Sequence, residues 1–215
     1  MKYPVVRCAV VATLLSGAVP AYAADPYSYF YLGLGGGYSH VDFYPADFKT
    51  GLTDIPKDFD AGYRLFVGWQ VNRNWAAEFG YVTVGKFKYN TDFGTNVNQE
   101  VDYKVTGMEV SLLPTVPLGS KLSLFGRLGG FFSQARSTKR NANGILSDDI
   151  PNIQSSEVSF LSGVGFQYLG SEGGVRIEYE NFGKVGGPCQ PSAPPPNCTG
   201  RANAQMLSVN LLFKF

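Results

Sequence analysis

The chain has 215 residues and almost balances 18 Lys and Arg against 17 Asp and Glu. With no basic block, the charge pattern gives no sign of a nucleic-acid partner. Beyond the N-terminus no stretch reaches the about 18 apolar residues of a transmembrane helix. Lys2 and Arg7 head a short positive region, residues 8–19 are mostly apolar, and Ala21-Tyr22-Ala23 carries small residues where a signal peptidase reads them. Residues 1–23 are therefore expected to be a cleaved signal peptide, and 24–215 one mature domain. Cleavage leaves 16 Lys and Arg against 17 Asp and Glu, and removes Cys8. The two remaining cysteines, Cys189 and Cys198, lie close in sequence in a secreted chain, which predicts one disulfide.

Alternation with period two runs through the mature chain. Eight segments are long enough to cross a bilayer as tilted strands, which takes about 9–11 residues each. In chain order they are 29–43, 60–71, 75–89, 101–113, 121–135, 157–169, 173–182 and 203–215. Connections 72–74, 115–120 and 170–172 are short, whereas 44–59, 90–100, 136–156 and 183–202 are long. Short and long in turn place all long connections at one end, as in outer-membrane barrels with short periplasmic turns and longer extracellular loops. An even strand number is expected to leave both mature termini in the periplasm.

Sorting each segment by parity yields one face without charge. It includes Phe30, Leu32, Leu34 and Tyr38, then Tyr63, Leu65, Val67 and Trp69, then Trp75, Phe79 and Tyr81. Met108, Val110 and Leu112 follow, with Leu122, Leu124, Leu128 and Phe132, and Val158, Phe160, Val164, Phe166 and Tyr168. Val175, Ile177 and Tyr179 continue it, and Leu207, Val209, Leu211, Phe213 and Phe215 end it. The opposite face is read as small, polar or charged, with many glycines. A soluble barrel would turn the apolar face inward; a membrane barrel turns it to lipid. Aromatics near strand ends suit an interfacial girdle. Glycines suit the crowded interior of a narrow barrel. The predicted fold is all-β: an eight-stranded antiparallel transmembrane β-barrel in a bacterial outer membrane.

Charges on the inner face nearly balance. Arg64, Arg127 and Arg176 stand against Glu78, Glu109, Glu178 and Glu180. Isolated buried charge is costly, so these should be paired or hydrated. They are read first as a network that fills and locks the interior, and alternatively as a gate on a narrow conduit.

Particular stretches then become familiar. Gly68-Trp69-Gln70-Val71-Asn72 followed by Glu78-Phe79-Gly80-Tyr81 resembles the second hairpin of the OmpA-like transmembrane barrel. Arg127-Leu128-Gly129-Gly130 is similar to its fifth strand, Arg176-Ile177-Glu178-Tyr179 to its seventh, and 206–215 to its eighth. The resemblance spans all eight strands but not the loops. It implies an interior pair between Glu78 and Arg176. The family's alternative lysine partner on the fourth strand falls on or near Leu113, and an interior glutamate of the sixth strand is replaced by Gln167. The resemblance therefore carries over the pair but not the alternative lysine partner to which the family's glutamate swaps. The resemblance is to the short, barrel-only members without a periplasmic domain.

Other chemistry is weakly signalled. His40 is the only histidine; it is read as a polar rim residue pointing inward, with no His-x-Ser pattern nearby. No cysteine–histidine cluster suits zinc. Asp148-Asp149 reads as solvated loop, and Gly33-x-Gly35-Gly36-Gly37 lacks the helix and lysine of a phosphate loop. No cofactor, metal or catalytic residue is expected. The leading expectation is a structural or surface-interaction protein that works through four extracellular loops. A narrow low-conductance pore is the alternative, and a lipid-modifying enzyme a distant third. Expected partners are outer-membrane lipid and lipopolysaccharide, periplasmic chaperones and the barrel-assembly machinery during biogenesis, and a host or surface ligand at the loops.

Overall fold

The computed structural model describes residues 27–44, 52–92, 98–140, 153–187 and 199–215. Residues 1–23, Cys189, Cys198 and Asp148-Asp149 lie outside the described residues. Among the described residues nine strands follow in chain order: β1 (Tyr29–Phe43), β2 (Leu52–Lys57), β3 (Phe59–Asn72), β4 (Trp75–Asp92), β5 (Asn98–Pro117), β6 (Leu122–Arg140), β7 (Ile153–Leu169), β8 (Gly173–Val185) and β9 (Ala202–Lys214). All pairings are antiparallel, β1 pairs with β9, and β4 pairs with β5 to close the sheet. Eight long strands form the barrel. The short β2 lies against the far end of β4, with Leu52 opposite Thr91 and Lys57 opposite Lys88, where β3 no longer reaches.

Short turns are held by their own polar groups. The Asn72 side chain accepts the backbone N–H of Asn74 at 2.9 Å and of Trp75 at 3.1 Å, the local bond that makes Asn a turn former. Asn74 then ties this turn to the next, donating from its side chain to the Thr115 carbonyl at 3.1 Å. In the third turn the Gly170 N–H donates to the Gly173 carbonyl at 2.8 Å.

The charge-free face points outward. Phe30 is exposed, as are Leu65, Val67, Phe79, Val110, Phe166 and Leu211, and the chain neighbours of these last six are buried. An outer surface of this kind would be untenable in water and fits lipid. Phe30, Trp69 and Phe215 gather at the short-turn end, with Phe30 5.9 Å from Trp69 and 6.5 Å from Phe215 between ring centroids. They form the aromatic rim expected at a membrane boundary.

Three expectations are corrected. First, the strands run past their predicted ends on the long-connection side, and β2 occupies part of the predicted 44–59 loop. The reason lies in a reversed pattern: beyond the lipid-facing band, apolar residues point in and charged ones out. Phe87, Tyr89, Val101, Tyr103 and Val105 are buried, while Lys86, Lys104 and Arg136 are exposed. An inner apolar face stabilises a barrel wall in water as a soluble barrel does, so pairing continues beyond the bilayer. Burial pushes the Tyr89 phenol up to about 12 and raises that of Tyr103 as well, so both remain neutral. Secondly, β4 changes phase. A bulge between Thr83 and Gly85, with Gly85 at φ 147°, moves the inward set from Glu78, Gly80, Val82 and Val84 to Phe87 and Tyr89. Thirdly, His40 shares the outward parity of Tyr38 and Asp42. It stacks on Phe59 at 4.4 Å and bonds Asp42 at 2.9 Å.

The inner face is also less polar than its sequence pattern suggests. Tyr31, Phe66, Leu113, Phe125, Phe131, Leu161 and Leu212 all point in and are buried. Glycines make room for three of these rings across strand pairs: Phe66 lies over Gly33, Tyr31 over Gly68 and Phe125 over Gly165. The three atoms nearest to a Cβ added at Gly33 all belong to the Phe66 ring. We expect Gly33→Ala to destabilise the barrel by about 1–3 kcal/mol through overpacking. Adding Phe66→Leu should recover part of that loss, measured by urea unfolding in lipid vesicles. An innocuous Gly33→Ala would mean that the ring and the glycine are not in contact.

Candidate functional site: the charge layer of the lumen

Inward parity on five strands converges at mid-barrel. β3 supplies Arg64, β4 Glu78, β5 Glu109, β6 Arg127, and β8 Arg176, Glu178 and Glu180. Register explains their meeting: Glu78 lies opposite Ser111 and Gly68, Arg127 opposite Gly163, and Arg176 opposite Gln167 and Asn210. The small partners leave the lumen to the long side chains.

Arg127 is the hub. Its Nη2 donates to Glu78 Oε2 at 2.7 Å and to Glu178 Oε2 at 2.8 Å, and its Nη1 to the Ser111 hydroxyl at 2.7 Å. Arg64 donates to Glu109 and Glu178, and to Glu180 Oε2 at 2.9 Å. Arg176 Nη1 donates to Glu78 Oε1 at 2.6 Å, and its Nη2 to Gln167 Oε1 at 3.0 Å. The Tyr31 hydroxyl also donates to Glu78 Oε1, and Asn210 Nδ2 to Glu178 Oε1 at 2.9 Å.

The six residues singled out in the sequence, Arg64, Glu78, Glu109, Arg127, Arg176 and Glu178, thus stand in one cluster with Glu180. Glu78 and Arg176 are in contact, but Glu78 belongs equally to Arg127, so the cluster is not a set of separate pairs. Sequence reasoning missed Tyr31, Ser111, Gln167 and Asn210 as members. The signal for Tyr31 was its inward parity, hidden beside the aromatic outward residues of β1.

Packed side chains flank the layer on both sides. Arg176 has the rings of Phe125, Phe66 and Tyr31 at 4.7, 5.3 and 5.6 Å from its guanidinium carbon. Arg64 lies 4.5 Å from the Phe66 ring. Cations over ring faces are attracted by the ring quadrupole, more so away from water. Toward the long connections, Val82, Val84, Phe131, Leu161, Phe182 and Met206 belong to one buried apolar cluster that continues to Tyr89 and Tyr103. Side chains of the charge layer are 0–1% exposed. Chemically the arrangement can cross-link five strands. Among the described residues, no group of three or more His, Cys, Asp and Glu could hold a metal.

A family model described as the OmpA-like transmembrane domain matches residues 26–215. The chain belongs to this family. OmpA-like relatives include Outer membrane protein A of Serratia marcescens, 26% identical over 96% of this chain and 55% of that protein. Outer membrane protein A of Shigella flexneri is 29% identical over 83% of this chain and 48% of that protein. The chain spans about half the length of these relatives. Among solved structures, outer membrane protein AlkL in DMPC lipid bilayers has a TM-score of 0.52 at 16% identity, covering 94% of this chain and 97% of that one. Outer membrane protein OprG from Pseudomonas aeruginosa gives 0.51 at 13% identity, over 87% of this chain and 97% of that one. At such identities the two structures speak for the fold alone. This OmpA-like chain is therefore an integral β-barrel protein of a bacterial outer membrane.

Proposed function

We propose that this OmpA-like barrel is a closed membrane anchor that presents its long-connection end at the cell surface. The carrying observation is the filled lumen, with a cross-linked charge layer between aromatic and aliphatic packing. A barrel of eight strands leaves little more than room for its own side chains, and here that room is occupied. Interaction with a surface ligand would then fall to the long connections and the strand extensions beneath them. Those extensions carry exposed charge, including Lys86, Lys104 and Arg136, and the Lys88–Glu100 pair at 2.7 Å. A structural and interaction role agrees better with this layout than an enzymatic one. His40, the lone histidine, hydrogen-bonds Asp42 and stacks on Phe59.

In this reading both ends of the mature chain lie in the periplasm, and the N-terminal 1–23 segment is removed on export. The Cys189–Cys198 pair would brace the last long connection. Topology is testable on intact cells. An epitope inserted within 141–152 should bind antibody without permeabilisation, and one fused after Phe215 only after it. The opposite pattern would overturn the proposed orientation.

A further inference from the structure

The short-turn end of the barrel holds a feature that the sealed lumen does not use. A cavity of about 520 Å³ opens there, floored by Gln70 and Gln167. Arg73, Lys121 and Lys214 line it, and among the described residues no carboxylate does. None of the three cations has an ion-pair partner among the described residues. Each instead lies near an aromatic ring: Lys214 4.0 Å from Tyr29, Arg73 5.6 Å from Tyr27, and Lys121 5.9 Å from Tyr168, measured to the ring centroids. The rings hold the cations in place without neutralising them, since a quadrupole attracts charge but does not cancel it. Glu172, on the neighbouring turn, meets Lys214 through its backbone carbonyl, which accepts the Lys214 N–H at 2.8 Å.

The floor adds to the positive field. Gln167 accepts from Arg176 through its side-chain oxygen, which leaves its NH2 group to donate toward the cavity. Hydroxyls of Ser120 and Ser123 stand at the wall. Three uncancelled cations, an amide donor and hydroxyls around one concave space form a receptor for a multiply charged, oxygen-rich anion.

We propose that this vestibule is a binding site for a phosphate-bearing ligand. The same chemistry is found in a phospholipid headgroup folded over the rim and in a water-soluble phosphate ester. Lys121, near the outward Tyr168 ring, lies close to the lipid boundary, whereas Lys214 points into the mouth.

The test uses the refolded chain in phosphatidylcholine nanodiscs. Inorganic triphosphate is titrated while tryptophan emission is recorded; Trp69 and Trp75, the only tryptophans, both lie at this end. The expected result is a saturable one-site isotherm. It should weaken about tenfold or more in Arg73→Gln/Lys121→Gln/Lys214→Gln. It should not change in Lys86→Gln/Lys104→Gln at the opposite end. Discs containing phosphatidylglycerol separate the sources. A headgroup phosphorus resonance shifted by the wild type but not by the triple variant assigns the lipid phosphate. An unshifted resonance with triphosphate binding retained assigns a soluble ester. Absence of both saturable triphosphate binding and a headgroup shift in the wild type, or equal binding by the triple variant, overturns the proposal.

Discussion

Arg127→Ala is expected to destabilise the folded barrel by about 3–5 kcal/mol, more than any other single change in the lumen. Arg127 is fully buried and bridges Glu78, Glu178 and Ser111. Its removal leaves Arg64 and Arg176 to answer four carboxylates from Glu78, Glu109, Glu178 and Glu180. It also leaves a void that the rigid wall cannot collapse to fill. Arg176→Ala strands only Glu78, which keeps Arg127 and Tyr31, so its cost should be smaller. It should still exceed that of Glu78→Gln with Arg176→Gln, because the double change keeps the wild-type formal imbalance of one carboxylate, whereas the single change raises it to two. Urea unfolding in lipid vesicles, arranged as a double-mutant cycle, measures both effects. A cost below about 1 kcal/mol for Arg127→Ala would mean that water reaches the layer and screens it.

The second large effect concerns the outer wall. Val67 lies mid-strand on the lipid face, opposite Leu32 and Phe79. Val67→Arg places a charge near the bilayer midplane and should cost about 2–4 kcal/mol. Gln70→Arg is the contrast. Gln70 points inward at the short-turn mouth, where the cavity gives a long side chain access to water. Its cost should be much smaller, although three cations already stand around that mouth. Folding titrations into vesicles compare the two. Equal costs would show that the apolar parity does not face lipid.

Much of this architecture is visible in the alternation of the chain, and the exceptions have physical causes. The outward set from Phe30 to Phe215 is legible because lipid demands an unbroken apolar row. The inward set is legible only where it contrasts with that row, as at Arg64, Glu78, Arg127 and Arg176. In Leu65-Phe66-Val67 or Leu112-Leu113 both faces are apolar, so Phe66 and Leu113 disappear into the outward pattern. Those hidden residues, with Tyr31 and Phe125, are buried inside the barrel around the charge layer. The bulge at Gly85 is likewise silent: one added residue inverts the parity of everything beyond it. That inversion places Phe87 and Tyr89 inside, and made the predicted third strand end too simply. Short β2 escaped because Leu52–Lys57 shows no clear period and pairs with only one edge of β4. The charge cluster was legible as a set of residues but not as a connected network. Register across β4, β5, β6 and β8 decides which arginine reaches which carboxylate, and parity is blind to register.

Whether the lumen is closed is decided most directly by ion current. The refolded chain is inserted into a planar lipid bilayer and held under an applied potential in molar salt. The sealed charge layer and its aromatic and aliphatic neighbours predict a current indistinguishable from the protein-free membrane. Discrete, reproducible conductance steps from the wild-type chain would contradict a closed barrel and favour a conduit through the layer around Arg127.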